Sequence, residues 1–294
     1  MHNTSIFQAI TDANIVPKFN KQTKRKLKIM ISFPYREGNM SKLVKEYRPM
    51  ISSLALDSGA FSVFTKKKSV NLKVYGIFLR KFGDPFDLRF TLDDKFDDAY
   101  HNLQNQLELE EMLKDKTWKP IPVVHDFDDP FKEFELYVNN GHDYIALGSM
   151  GERQKIPNKI LDKIRQKYPD IKIHMFGTLN LDMLMEYRPE SADSSGWAQG
   201  AGNGSIYYWN HDENKAYSYN VGAVDSKTNK KELVKDSPFY KEIVAFWENT
   251  LKLTPEEVVS EPEARYICNL YFFTQVEEYL NSPDSDPKAR KKAT

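Results

Sequence analysis

Short apolar runs alternate with longer stretches of helical spacing along most of this chain. The runs cover residues 27–33, 53–56, 88–92, 120–124, 144–147 and 171–176, with a weaker one ending at Ala192. Polar residues, glycine or proline bound each run, which is how strands buried on both faces read. Between them, 98–113, 130–139, 157–167 and 181–187 repeat their apolar residues at helical spacing, and 42–47 does so over a shorter span. Successive runs lie roughly 20 to 35 residues apart, the size of one strand–helix unit. Seven such units and a less regular eighth predict an α/β fold of the (β/α)8 TIM-barrel type, favoured over a flat doubly wound sheet.

The texture changes after Gly200. Residues 205–209 (SIYYW) and 216–221 (AYSYNV) alternate about the polar stretch NHDENK, a β-hairpin pattern spanning 205–221. Two helices are expected over 238–249 and 262–281, the second rich in aromatic residues. The domain reading is a basic N-terminal extension over 1–26, one catalytic domain over 27–281, and a frayed Pro- and charge-rich tail over 282–294.

Composition narrows the function classes. Lys plus Arg and Asp plus Glu both number 42 among 294 residues, so no bulk charge holds this chain on nucleic acid or a membrane. Forty per cent hydrophobic residues support a sizeable core and exclude a wholly disordered chain. The single cysteine, Cys268, excludes an internal disulfide framework and any multi-cysteine metal site. The chain starts without a long apolar core and nowhere strings together the roughly 18 apolar residues of a membrane span. A cytoplasmic protein without membrane contact is expected.

The candidate chemistry collects where the apolar runs end. Asp57 follows the second run, Asp93 the third, His125 the fourth, Gly148 and Ser149 the fifth, Gly177 the sixth, and Asp193 the seventh. In a (β/α)8 barrel all these positions open onto one C-terminal mouth. Any single Asp there reads first as a helix N-cap; four polar residues at strand ends favour a carboxylate-lined active site. Such carboxylates serve as nucleophile, as general acid/base or as metal ligands. Asp193, in the polar turn SADSSGW, suits an exposed nucleophile, and Phe61 in DSGAF offers a stacking ring. The stretch HDFDD (125–129) is a weak metal candidate, read chiefly as a solvated loop, and no metal is expected. Lys66, Lys67 and Lys68 follow the DSGAF loop and are placed as phosphate contacts. Basic runs at 18–28 and 288–292 read as solvated surface or as further contacts. Tyr207, Tyr208 and Trp209 read as hairpin packing before base stacking.

DSGAF, the Leu92-Asp93 pair, IPVVH, YIALGSMGE, HMFG, SADSSGW and CNLYFF, in that order, resemble the tRNA-guanine transglycosylase superfamily. They resemble more closely its phage and bacterial branch that inserts 7-deazaguanines into DNA. The resemblance spans about residues 27 to 275. It implies exchange of guanine in DNA for a 7-deazaguanine base, with Asp193 attacking C1′ to form a covalent glycosyl-enzyme and Asp57 managing protons. It further implies that Asp93 binds the purine edge, Phe61 stacks on the base, and Gly148 and Ser149 present backbone groups. His125 stands where the tRNA enzymes carry a Gln. The zinc-holding Cys cluster of those enzymes is absent, with Cys268 about where its His would be, so the resemblance implies no zinc and favours DNA over tRNA. The alternatives are the same exchange on tRNA, a catalytically silent nucleic-acid-binding partner subunit, and a metal-dependent barrel hydrolase. A partner protein is compatible with each of these.

Overall fold

A computed structural model describes residues 3–60, 70–127, 132–148, 158–178, 180–222 and 231–285. The chain folds as two compact units: residues 1–13 with 28–194, and 14–27 with 195–294. Among the described residues, no helix is long and apolar enough to cross a membrane.

The first unit is built on eight parallel strands: β1 (Ser5–Ile10), β2 (Leu27–Ser32), β3 (Ile51–Asp57), β4 (Leu88–Arg89), β5 (Val123–Val124), β6 (Tyr144–Leu147), β7 (Lys172–Met175) and β8 (Ser191–Ser194). Their order is β4-β3-β2-β1-β8-β7-β6-β5, so the first strand pairs with both the second and the eighth and the sheet curls. A parallel bridge from Phe90 to Ile121 joins the β4 and β5 sides, with Thr91 N donating to Ile121 O and Ile121 N to Arg89 O. Helices α2 (Leu72–Phe82), α3 (Ala99–Met112), α4 (Lys132–Asn139), α5 (Asn158–Lys167) and α6 (Leu181–Tyr187) lie between strands. The side chains of Asn71, Asp98 and Asn180 accept a backbone N–H from the first turn of α2, α3 and α6, so three starts are capped as their sequences dictate.

Inward-facing residues of the strands meet at a common level. Phe7, Met30, Ala55, Phe90, Val123 and Ala146 pack together with Ile121, and Leu88, Tyr144 and Phe176 lie against them. Side chains alternate with period two, so the next inward position in the C-terminal direction is Ser32 after Met30, Asp57 after Ala55, His125 after Val123 and Gly148 after Ala146. The register that fills the core thus also sets the polar layer above it.

The sequence reading placed β2 to β8 but missed the first strand. Residues 1–26, read as a basic extension, contain β1 and helix α1 (Ile15–Thr23). The basic run is not an unpaired arm: Lys18 Nζ lies 2.6 Å from Glu263, Arg25 pairs with Glu278 and sits 4.5 Å from the Tyr271 ring, and Lys28 Nζ donates to Ser5 Oγ.

The second unit holds α1, α7 (Gly196–Gly202), an antiparallel hairpin of β9 (Ser205–Asn210) and β10 (Lys215–Asn220), α8 (Tyr240–Phe246), α9 (Pro255–Ser260) and α10 (Pro262–Leu280). Helix α10 is its axis. Buried Asn269 donates to Trp197 O and Ser205 O and accepts from Tyr207 N, tying helix to hairpin. The buried Arg265 guanidinium donates to Ala201 O, Val258 O and Val259 O, carbonyls at the C-terminal ends of α7 and α9. Tyr207 packs on Phe272 and Phe273, Tyr208 on Phe239, and Trp209 on Tyr279, the packing role read from the sequence.

Candidate active site

The C-terminal ends of the parallel strands bring Asp57, Asp93, His125, Gly148, Gly177 and Asp193 to one side of the first unit. Phe61, Lys66, Lys67, Lys68 and Ser149 lie outside the described residues, as do Asp128 and Asp129 of HDFDD.

Asp57 ends β3. Its Oδ2 accepts from Ser32 Oγ at 2.7 Å, across from the end of β2, and the Gly59 backbone N–H also donates to its carboxyl. These bonds favour the ionised form, but burial and the neighbouring Asp93 charge outweigh them, with Asp193 adding repulsion. The carboxyl is pushed up from 3.8 to about 7. Gly59 holds the loop here at φ 82°, and a Cβ would meet Pro34 Cδ at 2.3 Å, so both the dihedral and the space demand glycine.

Asp93 is held as an acceptor on both oxygens. Ser58 Oγ donates to Oδ1 at 3.0 Å, and His125 Nε2 lies 2.8 Å from Oδ2. The imidazole lies against Gly148, where a Cβ would come within 2.5 Å of His125 Cε1. Gly148 N donates to Val124 O within the sheet, so its N–H is already engaged, and this glycine makes room for the ring. The Phe96 ring packs on the imidazole at 4.5 Å between centroids. The backbone of this strand end is fixed by buried Glu133 of α4, whose Oε2 accepts from His125 N at 2.7 Å and Asp126 N at 2.6 Å.

Asp193, 6% exposed in β8, is met by two nitrogens at one oxygen. Gly177 N donates to Oδ1 at 2.9 Å, and His174 Nε2 lies 3.3 Å from the same atom. Gly177 adopts φ 62°, which aims that N–H at the carboxylate. His174 is fully buried, and its ring packs on Phe90 and Phe176. Burial pushes its pKa below 6.5 against the pull of Asp193, so the ring is neutral at pH 7.

Sequence reasoning missed His174, Ser32, Ser58, Glu133 and Phe96. His174 lies inside β7 and carries no strand-end signal. Ser32 ends a run that was read for its apolar residues alone. Glu133 looks like any acidic first-turn residue. Among the described residues, no group of three or more His, Cys, Asp and Glu side chains is arranged to hold a metal ion. The layer therefore presents two carboxyl groups held in place by Ser58, His125, Gly177 and His174, and a third, Asp57, poised to gain or lose a proton near neutral pH.

No protein-family model and no curated protein matches this sequence. Among solved structures, the fold is similar to the YdjI aldolase from Escherichia coli K12, at 11% identity and TM-score 0.52, over 98% of this chain and 94% of that one. It is also similar to a Coccidioides immitis protein named as a candidate fructose-1,6-biphosphate aldolase, at 13% identity and TM-score 0.52, over 98% and 92%. This corrects the activity implied by the motifs: the similar structures carry aldolase names, and exchange of guanine for a 7-deazaguanine through a covalent Asp193 adduct is withdrawn. The physical reason is that polar residues after parallel strands belong to the architecture and recur whatever the reaction. At these identities the likeness establishes the fold: an α/β chain on a curled, eight-stranded parallel sheet.

Proposed function

We propose that this chain is a (β/α)8-barrel enzyme performing general acid–base catalysis on a small hydroxyl-bearing substrate. Asp57 is the group that takes and returns the proton. One observation carries the reading: the Asp57 carboxyl is raised to about 7 and sits beside two anchored carboxylates. A group titrating near the working pH populates both forms and exchanges protons with least penalty. Asp93 and Asp193 accept hydrogen bonds from substrate hydroxyls and favour a neutral or cationic ligand over a polyanion.

Aldol-type cleavage is the first reaction to examine. A base removes the β-hydroxyl proton as the C–C bond breaks and its electron pair passes to the neighbouring carbonyl as an enolate, and a proton then returns to the α-carbon; one carboxyl near pKa 7 serves both transfers. The names of the similar structures point to the same class.

The test incubates the full chain in D2O with hydroxyaldehydes and hydroxyketones, phosphorylated and unphosphorylated, and follows cleavage and deuterium uptake at carbon by NMR. The reading expects turnover with an unphosphorylated compound, lowered about 10²- to 10⁴-fold by Asp57→Asn. No turnover across the panel, or equal turnover in that variant, overturns it.

A further inference from the structure

Beneath Asp193 a line of hydrogen bonds descends through the middle of the strand barrel. Tyr144 Oη lies 2.7 Å from Ser191 Oγ, and Ser191 Oγ lies 2.5 Å from His174 Nδ1. On its other side the ring reaches Asp193 Oδ1 through Nε2. Parallel pairing sets this geometry: His174 is the register partner of Ala146 on one side and of Ser191 on the other, and Tyr144 and Ser191 point inward from the flanking strands.

The direction of these bonds follows from counting protons. Asp193 Oδ1 accepts from Gly177 N–H, and a carboxylate oxygen that accepts one N–H has a second lone pair for another, so the proton between it and Nε2 is assigned to the ring. A neutral imidazole has one N–H, which leaves Nδ1 as an acceptor. Ser191 then donates its only proton to Nδ1 and accepts from Tyr144. Each donor is used once in a single sense, Tyr144 to Ser191 to His174 to Asp193. The groups facing the ring are Phe90, Phe176, Ser191 and Asp193, and none of them offers a competing proton to Nδ1.

We infer that Tyr144, Ser191 and His174 are positioning residues that lock one histidine tautomer and so fix the Asp193 carboxylate in place, with Oδ1 occupied and Oδ2 left to bind a hydrogen-bond donor of the substrate. The inference rests on the mouth being the active site, as proposed above. His174 and Ser191 touch no substrate; they set which oxygen of Asp193 faces it and keep that carboxylate from rotating.

The experiment reads the tautomer directly. The full chain is labelled with 15N-histidine, and long-range 1H–15N correlations are recorded at pH 7 to 8, with His174→Gln assigning the signal. The inference expects Nε2 protonated and Nδ1 bare throughout. Ser191→Ala, which removes only a hydroxyl, is expected to weaken that preference and to lower kcat about tenfold with KM little changed. Tyr144→Phe is expected to act in the same direction and more weakly. An Nδ1–H tautomer or an imidazolium in the unaltered chain overturns the inference, as does a Ser191→Ala variant with tautomer and kcat both unchanged. The NMR result does not depend on turnover. A locked Nε2–H ring in a chain that turns nothing over supports the relay while the acid–base reading falls, and an Nδ1–H ring in an Asp57-dependent enzyme has the opposite meaning.

Discussion

Replacing Asp57 by asparagine is expected to remove proton transfer and to stabilise the fold at neutral pH. The folded carboxyl is raised from 3.8 to about 7 by burial, by Asp93 and by Asp193. Below about pH 4 the group is protonated whether folded or not, and it contributes no penalty. As pH rises towards 7 the unfolded chain releases the proton and the folded chain retains it, so stability falls across that window and levels off above it. Roughly three pH units at about 1.4 kcal/mol each give about 4 kcal/mol, an upper figure because the carboxyl keeps part of its surface in the water of the mouth. Asparagine keeps the shape, and its carbonyl still accepts from Ser32, but it cannot ionise. The assay is urea unfolding of both chains at several pH values from 4 to 8. His174 works the other way: with its pKa lowered, its stabilisation is lost as pH falls below 6.5. That contribution is common to both chains and cancels in the difference. The stability of Asp57→Asn relative to the unaltered chain should climb by up to about 4 kcal/mol between pH 4 and 7, whatever constant offset the amide adds. A difference that does not vary with pH refutes the reasoning.

Other substitutions test the scaffold. Gly59→Ala meets both the φ of 82° and the Pro34 ring, and an unfolding measurement should show a loss of about 2–4 kcal/mol. Glu133→Ala strips this acceptor from the buried His125 and the half-buried Asp126 backbone N–H groups; a loss of about 2–3 kcal/mol is expected in urea titration, with turnover reduced as the His125 strand end loosens. Asn269→Ala removes the three hydrogen bonds to Tyr207 N, Trp197 O and Ser205 O, and thermal melting should report about 3 kcal/mol lost, while the Asp57 titration stays in place.

Much of the scaffold was legible because burial on both faces leaves compact apolar runs, and β2 to β8 all fall on or beside such runs. The first strand, SIFQAI, escaped because Gln8 interrupts it and the basic residues beyond drew the reading towards an extension. Helix α2 escaped because Val74, Ile77 and Phe82 are exposed, which blurs its apolar stripe. The carboxylates of the mouth were readable because each follows a strand; their partners were not, since Ser32, Ser58 and His174 gain meaning only from neighbours across the sheet. The reaction was least legible. Strand-end aspartates and glycines are common to barrels of many chemistries, so an ordered set of short motifs traced the architecture and left the substrate open.

The proposed chemistry turns on one carboxyl, Asp57, exchanging its proton near neutral pH. The most direct measurement is a pH titration of the chain labelled with 13C at the aspartate carboxyl carbon, with Asp57 identified as the signal missing from Asp57→Asn. The account predicts a midpoint close to pH 7 for that carboxyl. A midpoint near 4, the range of an ordinary exposed aspartate, contradicts it.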